Sequence, residues 1–182
     1  MVRKLFIGIQ IDGRANAVIE RNLKEFSSFQ VFWTEAQQRY ITLLFLGNVD
    51  DEYLPHISEG ILRAVEGMEV FDIFLEKISS GPDKNNPKSI RAWGEESDEL
   101  SKLHDRLAKE LNSFAKIEKK RFCSHVTLGR FRRIKNRSDL GEEDYFFEKK
   151  IHIPVSVSTV TLFESAEENG KREYFPVDVF DL

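Results

Sequence analysis

The sequence predicts an α+β fold of two similar lobes, each an antiparallel-rich sheet with helices on its outer face, and a central cleft between them. Two strand-like runs, 39–47 and 124–130, resemble each other, and Tyr40 and His125 within them lie 85 residues apart. Helical and strand patterns alternate, yet several predicted strands are joined by short turns, which argues against a purely parallel, doubly wound sheet. The glycine fingerprints of the commonest nucleotide-binding folds do not occur in the sequence.

Length and composition indicate one ordered unit. The chain has 182 residues, of which 41% are hydrophobic and 32% charged, as in soluble globular domains. We expect a single bilobal domain over residues 1–182, with cleft strands near 39–47 and 122–131. The only cysteine, Cys123, cannot form an intramolecular disulfide, and no run approaches the roughly 20 apolar residues of a membrane helix. These features predict a cytoplasmic protein with no membrane partner.

Local patterns predict the elements of the first part of the chain in order. Alternation and β-branched side chains over 5–11 predict a strand that ends at Asp12-Gly13. Helical spacing of apolar residues predicts a helix over 15–26. The short apolar run 31–34 is expected to pair with the strand 39–47 as a hairpin. A second helix over 54–65 and a strand over 68–78 follow.

The second part of the chain begins after the clearest loop, 81–87, where we expect the chain to pass between the lobes. A strand is predicted over 89–94, and Ser97 caps a third helix that carries apolar residues from Leu100 to Leu111. The strand over 122–131 carries His125. A loop or short irregular helix is predicted over 135–144. Strands over 151–163 and 174–180 are expected to form a hairpin through 167–170.

Two pairs of side chains are candidates for chemistry. Residues two apart in a strand point to the same face, so Tyr40 projects with Thr42 and His125 with Thr127. Imidazole, with a pKa near 6.5, serves as an acid or a base near neutral pH, and threonine hydroxyls hydrogen-bond phosphate oxygens. Two such pairs that face one cleft would form a site.

These runs, together with residues 5–9, 91–93 and 162–165, resemble the two-histidine phosphoesterases, specifically the LigT-like RNA 2′,3′-cyclic phosphodiesterases, also called 2′-5′ RNA ligases. The resemblance implies that each lobe contributes a histidine-x-threonine element to the cleft. It also implies hydrolysis of a ribose 2′,3′-cyclic phosphate or a 2′-5′ phosphodiester without a metal or cofactor. The implied partners are RNA ends or small phosphorylated nucleotides, and not duplex DNA. His125 would be catalytic, and Thr42, Thr127 and Arg130 would bind substrate.

Tyr40 stands where this family has its first histidine. A phenol with a pKa of about 10 is protonated at pH 7, so Tyr40 can donate a hydrogen bond but cannot readily act as a base. We therefore predict that His125 is the base and Tyr40 a weak acid or an orienting donor. Losing one general acid or base costs roughly 10²- to 10⁴-fold in rate. Three alternatives therefore stay open: an impaired phosphodiesterase, a non-catalytic nucleotide- or RNA-binding protein of the same fold, and a scaffold without nucleotide binding.

Three further features need the structure to decide them. Strict alternation from His125 places Arg130 on the opposite face, unless the strand ends or bulges after Gly129. Basic side chains are dense over 116–137, where they form either a solvated face or a local phosphate-attracting patch. Cys123 is expected to be a small buried residue rather than a nucleophile or a metal ligand.

Overall fold

The computed structural model describes residues 1–81, 83, 87–114, 122–131, 146–168 and 171–182. The helices are α1 (Gly13–Leu23), α2 (Leu54–Val65) and α3 (Asp98–Glu110). The strands are β1 (Val2–Gln10), β2 (Val31–Trp33), β3 (Tyr40–Asp50), β4 (Phe71–Gly81), β5 (Ser89–Gly94), β6 (His125–Phe131), β7 (Glu148–Val157), β8 (Thr159–Glu168) and β9 (Lys171–Asp181).

The strands form one antiparallel sheet with matching halves. Its order is β7-β4-β5-β6-β3-β1-β8-β9, and the short β2 pairs with β6 outside this order. At the centre, β3 and β6 share one Cα pairing, between Ile41 and Val126. We call β3, β1, β8 and β9 the tyrosine half, because it carries Tyr40, and β6, β5, β4, β7 and β2 the histidine half, because it carries His125. The predicted α+β class with two similar halves is confirmed.

The helices begin where the sequence provides caps. Asp12 Oδ1 accepts hydrogen bonds from the backbone N–H groups of Arg14 and Ala15 at 2.7 and 2.9 Å, at the start of α1. Ser97 Oγ accepts from the Leu100 N–H at 3.1 Å, at the start of α3. These caps satisfy N–H groups that have no partner within the helix. α1 packs against β7, α2 against α3 and β9, and α3 against β3.

Two predicted connections are wrong. β2 does not form a hairpin with β3 but pairs with β6, with Val31 opposite Phe131 and Trp33 opposite Gly129. A 3₁₀ turn, Ala36–Gln38, separates the two strands and leads β3 into the other half. The loop after Gly81 does not carry the chain between halves either, since β4 and β5 are antiparallel neighbours in the histidine half. Of this loop, residues 82 and 84–86 lie outside the described part.

The predicted strand over 151–163 is two strands that belong to different halves. β7 pairs with β4, whereas β8 pairs with β1 and β9, and the chain changes partner at Ser158. The alternation changes phase at this point, since the fully buried positions are Ile153, Val155 and Val157 in β7 but Val160 and Leu162 in β8. The β8–β9 pairing is confirmed and extends to Glu168 opposite Lys171. The prediction for 135–144 falls outside the described residues. No helix in the described part of the chain is long and apolar enough to cross a membrane.

Candidate active site

The candidate site lies where β3 and β6 meet. Ile41 and Val126, which form the shared pairing, are fully buried. Because side chains alternate along a strand, the residues that flank this pair project from the other face of the sheet. We call this the site face. It carries four half-buried side chains: Tyr40 and Thr42 from β3, and His125 and Thr127 from β6.

The His125 ring is held in one tautomer by the backbone. Its Nδ1 lies 3.1 Å from the Cys123 carbonyl oxygen. A carbonyl only accepts hydrogen bonds, so Nδ1 carries the hydrogen, and Nε2 of the neutral ring keeps its lone pair. Burial lowers the pKa of His125 below its ordinary value, and the positive charge of Arg91 acts in the same direction, against the bond to Cys123. His125 is therefore a neutral base at pH 7.

Tyr40 sits in an aromatic cluster. Its ring centroid is 4.7 Å from that of Phe6, 5.5 Å from Phe163 and 4.9 Å from Tyr174. Burial raises the pKa of Tyr40 far above its ordinary value, and a hydrogen bond with the Tyr174 side chain raises it further. The nearby positive charges of Arg130 and Arg172 oppose this shift but do not reverse it. Tyr40 is therefore protonated at any physiological pH.

Tyr174, which the sequence did not single out, is fixed by Gln38. The Gln38 side chain donates from Nε2 to the Tyr174 carbonyl at 3.3 Å and accepts at Oε1 from the Tyr174 N–H at 2.9 Å. This amide acts as a short extension of the β-ladder and ties β9 to the start of β3. No sequence pattern links these residues, because they are 136 positions apart.

The start of β3 is anchored by Arg39, which is 2% exposed. Its Nε and Nη2 donate to the Thr34 carbonyl at 3.1 and 2.8 Å, and its Nη1 donates to Asn16 Oδ1 at 3.2 Å. Nη2 also pairs with Glu20 at 2.6 Å. These bonds fix the backbone that immediately precedes Tyr40.

Arg130 reaches the site face because of a β-bulge. On β5, Arg91 pairs with Thr127 and Ile90 with Gly129, so Leu128 of β6 has no partner. This extra residue reverses the alternation, and Arg130, opposite Ser89, returns to the face of His125. The bulge that Arg130 needs in order to reach this face is therefore present, but it lies at Leu128 rather than after Gly129.

Arg91 and Trp93 join the site face through the same pairing, since Arg91 lies opposite Thr127 and Trp93 opposite His125. The Trp93 ring is 5.3 Å from the His125 ring, and its Nε1 donates to Ser79 Oγ at 2.8 Å. The Arg91 guanidinium lies 5.5 Å from the Trp93 ring centroid. Burial lowers the pKa of Arg91, and the charge of Arg130 lowers it further. Arginines this close together favour binding of an anion.

Two further sequence expectations have different outcomes. Cys123 is exposed, so the expectation of a buried residue is wrong. It precedes β6 rather than lying within it, and its carbonyl is the group that contacts His125.

Most of the basic stretch 116–137 lies outside the described residues. Among the residues that are described, no group of three or more His, Cys, Asp or Glu side chains could hold a metal ion.

The site face combines a neutral imidazole, a protonated phenol, two threonine hydroxyls and the guanidiniums of Arg91 and Arg130, and the charge of Arg172 acts on Tyr40 nearby. Such a set can accept one proton, donate hydrogen bonds and neutralise an anion. The predicted residues Tyr40, Thr42, His125, Thr127 and Arg130 all lie on this face.

Known proteins of similar sequence are RNA 2′,3′-cyclic phosphodiesterases. The chain is 26% identical over 166 residues, 89% of its own length and 86% of the relative, to an RNA 2′,3′-cyclic phosphodiesterase of Thermotoga maritima. An RNA 2′,3′-cyclic phosphodiesterase of Methanothermobacter thermautotrophicus is 29% identical, with 98% of both chains covered.

Solved structures support the same fold. The protein TT0787 of Thermus thermophilus matches with a TM-score of 0.84 at 19% identity, covering 98% of this chain and 97% of that one. LigT of E. coli in complex with 3′-AMP matches with a TM-score of 0.76 at 19% identity, covering 100% and 99%. The model of the 2′-5′ RNA ligase superfamily matches residues 33–169, about three quarters of the sequence. The chain therefore belongs to the 2′-5′ RNA ligase superfamily.

Proposed function

We propose that this protein hydrolyses a 2′,3′-cyclic phosphate or a 2′-5′ phosphodiester at RNA ends or in small nucleotides, using a single bilobal domain. The observation that carries the proposal is the state of His125. Its neutral imidazole has Nδ1 engaged by the Cys123 carbonyl and Nε2 left as a base, on the face that also carries Arg91 and Arg130.

The proposed reaction uses this base directly. His125 Nε2 takes a proton from water as the water oxygen attacks phosphorus. The bond between phosphorus and one ribose oxygen breaks; that oxygen, hydrogen-bonded by the Tyr40 hydroxyl, takes a proton from water, and the His125 imidazolium returns its proton to solvent. Thr42 and Thr127 donate hydrogen bonds to the non-bridging oxygens, and the guanidiniums neutralise the growing negative charge.

Tyr40 has the weaker role in this scheme. Its hydroxyl remains protonated and can donate a hydrogen bond to a phosphate oxygen or to the leaving oxygen. Because its pKa is raised, it releases its proton less readily than an imidazolium would. We propose that turnover is slower than it would be with a second histidine at this position.

The comparisons support the substrate class. Relatives that cover most of this chain are named RNA 2′,3′-cyclic phosphodiesterase, and E. coli LigT has been crystallised with 3′-AMP, ATP and NADP+. Small nucleotides and RNA ends are therefore the ligands to test first. The single cysteine supports a cytoplasmic location for this activity.

The test is hydrolysis of 2′,3′-cyclic AMP with EDTA present, followed by ³¹P NMR. We expect His125→Ala to lower kcat/KM by about 10²- to 10⁴-fold. The matched control is His152→Ala, because the His152 side chain is 67% exposed and lies on β7 at the far edge of the histidine half. Equal rates for His125→Ala and the unmodified protein would refute the assignment.

The second candidate is a nucleotide- or RNA-binding protein without turnover, and the protonated state of Tyr40 is the observation that favours it. Tight binding of 3′-AMP, combined with no hydrolysis above the rate of His125→Ala, would establish this alternative.

A further inference from the structure

The site face of the tyrosine half continues along β3 past Thr42. Thr42 pairs with Gly8 and Leu44 with Ile7, so Leu43 has no partner on β1. This bulge reverses the alternation of β3. Phe45, which pairs with Phe6, therefore lies on the same face as Thr42, where an unbroken strand would have turned it away.

Phe45 is the exposed end of the aromatic cluster around Tyr40. The Phe6 ring, which is 2% exposed, lies 4.7 Å from the Tyr40 ring and 6.1 Å from the Phe45 ring. Phe45 itself is 64% exposed. The cluster thus runs from the candidate catalytic position to an aromatic surface that is open to a ligand.

A cation lies beside this surface. β1 has no bulge, so Lys4 projects from the same face as Phe6, and it pairs with Asn48. Both side chains are exposed. Among the described residues Lys4 forms no ion pair with a carboxylate. Its ammonium is therefore available to a phosphate that reaches this end of the strand.

The spacing determines which part of a ligand reaches Phe45. The β1 partners of Tyr40 and Phe45 are Gln10 and Phe6, four residues apart, which corresponds to about 13 Å along the strand. A nucleoside whose own cyclic phosphate is held between Tyr40 and His125 places its sugar at this end of the strand. The neighbouring nucleotide of the same RNA strand continues towards Phe45, the next aromatic ring past Phe6.

We propose that Phe45 and Lys4 form a subsite for the nucleotide that precedes the terminal cyclic phosphate, with its base stacked on Phe45 and a backbone phosphate near Lys4. The subsite rests on the proposed function for its ligand class and makes that class specific. The protein prefers an RNA end of two or more nucleotides to a mononucleotide.

The test compares the binding of 3′-AMP with that of the dinucleotide ApAp, at one fixed salt concentration, by calorimetry. Stacking of one base predicts that ApAp binds about 5- to 100-fold more tightly. Phe45→Ala should bring this ratio close to one, and Phe45→Trp should retain it. The control is Phe175→Ala, because Phe175 is an exposed phenylalanine, at 38%, on the opposite face of the sheet. It pairs with Glu164, and the β1 partner of Glu164 is Leu5, which faces away from the site.

Lys4 lies past Phe45 from Tyr40, so the test uses pApAp, whose 5′-phosphate extends in that direction. Lys4→Gln should lower the slope of log Kd against log salt for pApAp by about 0.7, the value for one released counterion on a single strand, and leave the slope for ApAp unchanged. The subsite is refuted if the unmodified protein binds both ligands equally, or if Phe45→Ala weakens both by the same factor. Binding reports on the subsite whether or not turnover occurs. A Phe45-dependent ratio without hydrolysis of cyclic AMP or of the cyclic dinucleotide would refute the proposed activity and leave the subsite standing.

Discussion

Replacing Tyr40 with histidine tests whether position 40 can supply a general acid, because the change places an imidazole among aromatic side chains. The structure predicts that Tyr40→His raises kcat/KM at pH 7 by less than the 10²- to 10⁴-fold that a well-matched general acid supplies. The introduced imidazole would be surrounded by Phe6, Phe163 and Tyr174 and close to Arg130. Both burial and a nearby cation lower the pKa of histidine.

A decrease of about one unit from 6.5 leaves about 3% of that imidazole protonated at pH 7 and about half at pH 5.5. The expected gain in kcat/KM of Tyr40→His is therefore about 3- to 300-fold at pH 7, and it increases towards pH 5.5. Because the pKa of His125 is lowered, more of its imidazole stays neutral, as a base, towards pH 5.5 than in an ordinary histidine. Hydrolysis of 2′,3′-cyclic AMP between pH 5 and 8 measures both effects.

Tyr40→Phe is the matched control, since it keeps the ring and removes only the hydroxyl. Loss of a hydrogen bond to a charged oxygen, about 1.5–3 kcal/mol, predicts a decrease of about 10- to 100-fold. A folded Tyr40→His protein with no gain at any pH, alongside a clear effect of His125→Ala, would show that position 40 does not supply the acid.

Two other predictions concern charge and stability. Arg91→Gln removes a cation that lowers the pKa of His125, so the acidic limb of the plot of kcat/KM against pH should move to higher pH. The control is Arg172→Gln, which removes a cation near Tyr40 instead and should leave the acidic limb in place. An unmoved limb in Arg91→Gln would contradict the proposed coupling. Arg39→Met leaves buried acceptors without donors and should lower the free energy of unfolding by about 2–4 kcal/mol in urea titrations. Glu20→Gln should cost under about 1 kcal/mol, since the Glu20 side chain is 55% exposed, and equal losses for both variants would refute this account of Arg39.

Local patterns were sufficient for most elements and for the placement of the main site residues. The Ser97 cap is local chemistry, and alternation alone brought Tyr40 and His125 to one face. The run through Ser158 was predicted as one strand, although its apolar positions shift from odd to even numbers at the point where the chain changes partner.

Arg130 and Phe45 depend on bulges at Leu128 and Leu43, which appear only when two strands are aligned in register. Leu128 precedes Gly129, a residue type that often marks a bulge within a strand, whereas nothing next to Leu43 indicates one. Tyr174 was missed for a related reason, since it meets Tyr40 only through tertiary pairing of β9.

The near-equivalence of the two halves around Ile41 and Val126 has a consequence for the direction of the reaction. A site with the same catalytic group on both sides could accept its substrate in either of two orientations, with base and acid exchanged. Here Tyr40 stays protonated and His125 stays neutral. On the proposed mechanism only one orientation is productive, so the site face has a polarity: the attacking water enters from the His125 side, and the leaving oxygen departs towards Tyr40.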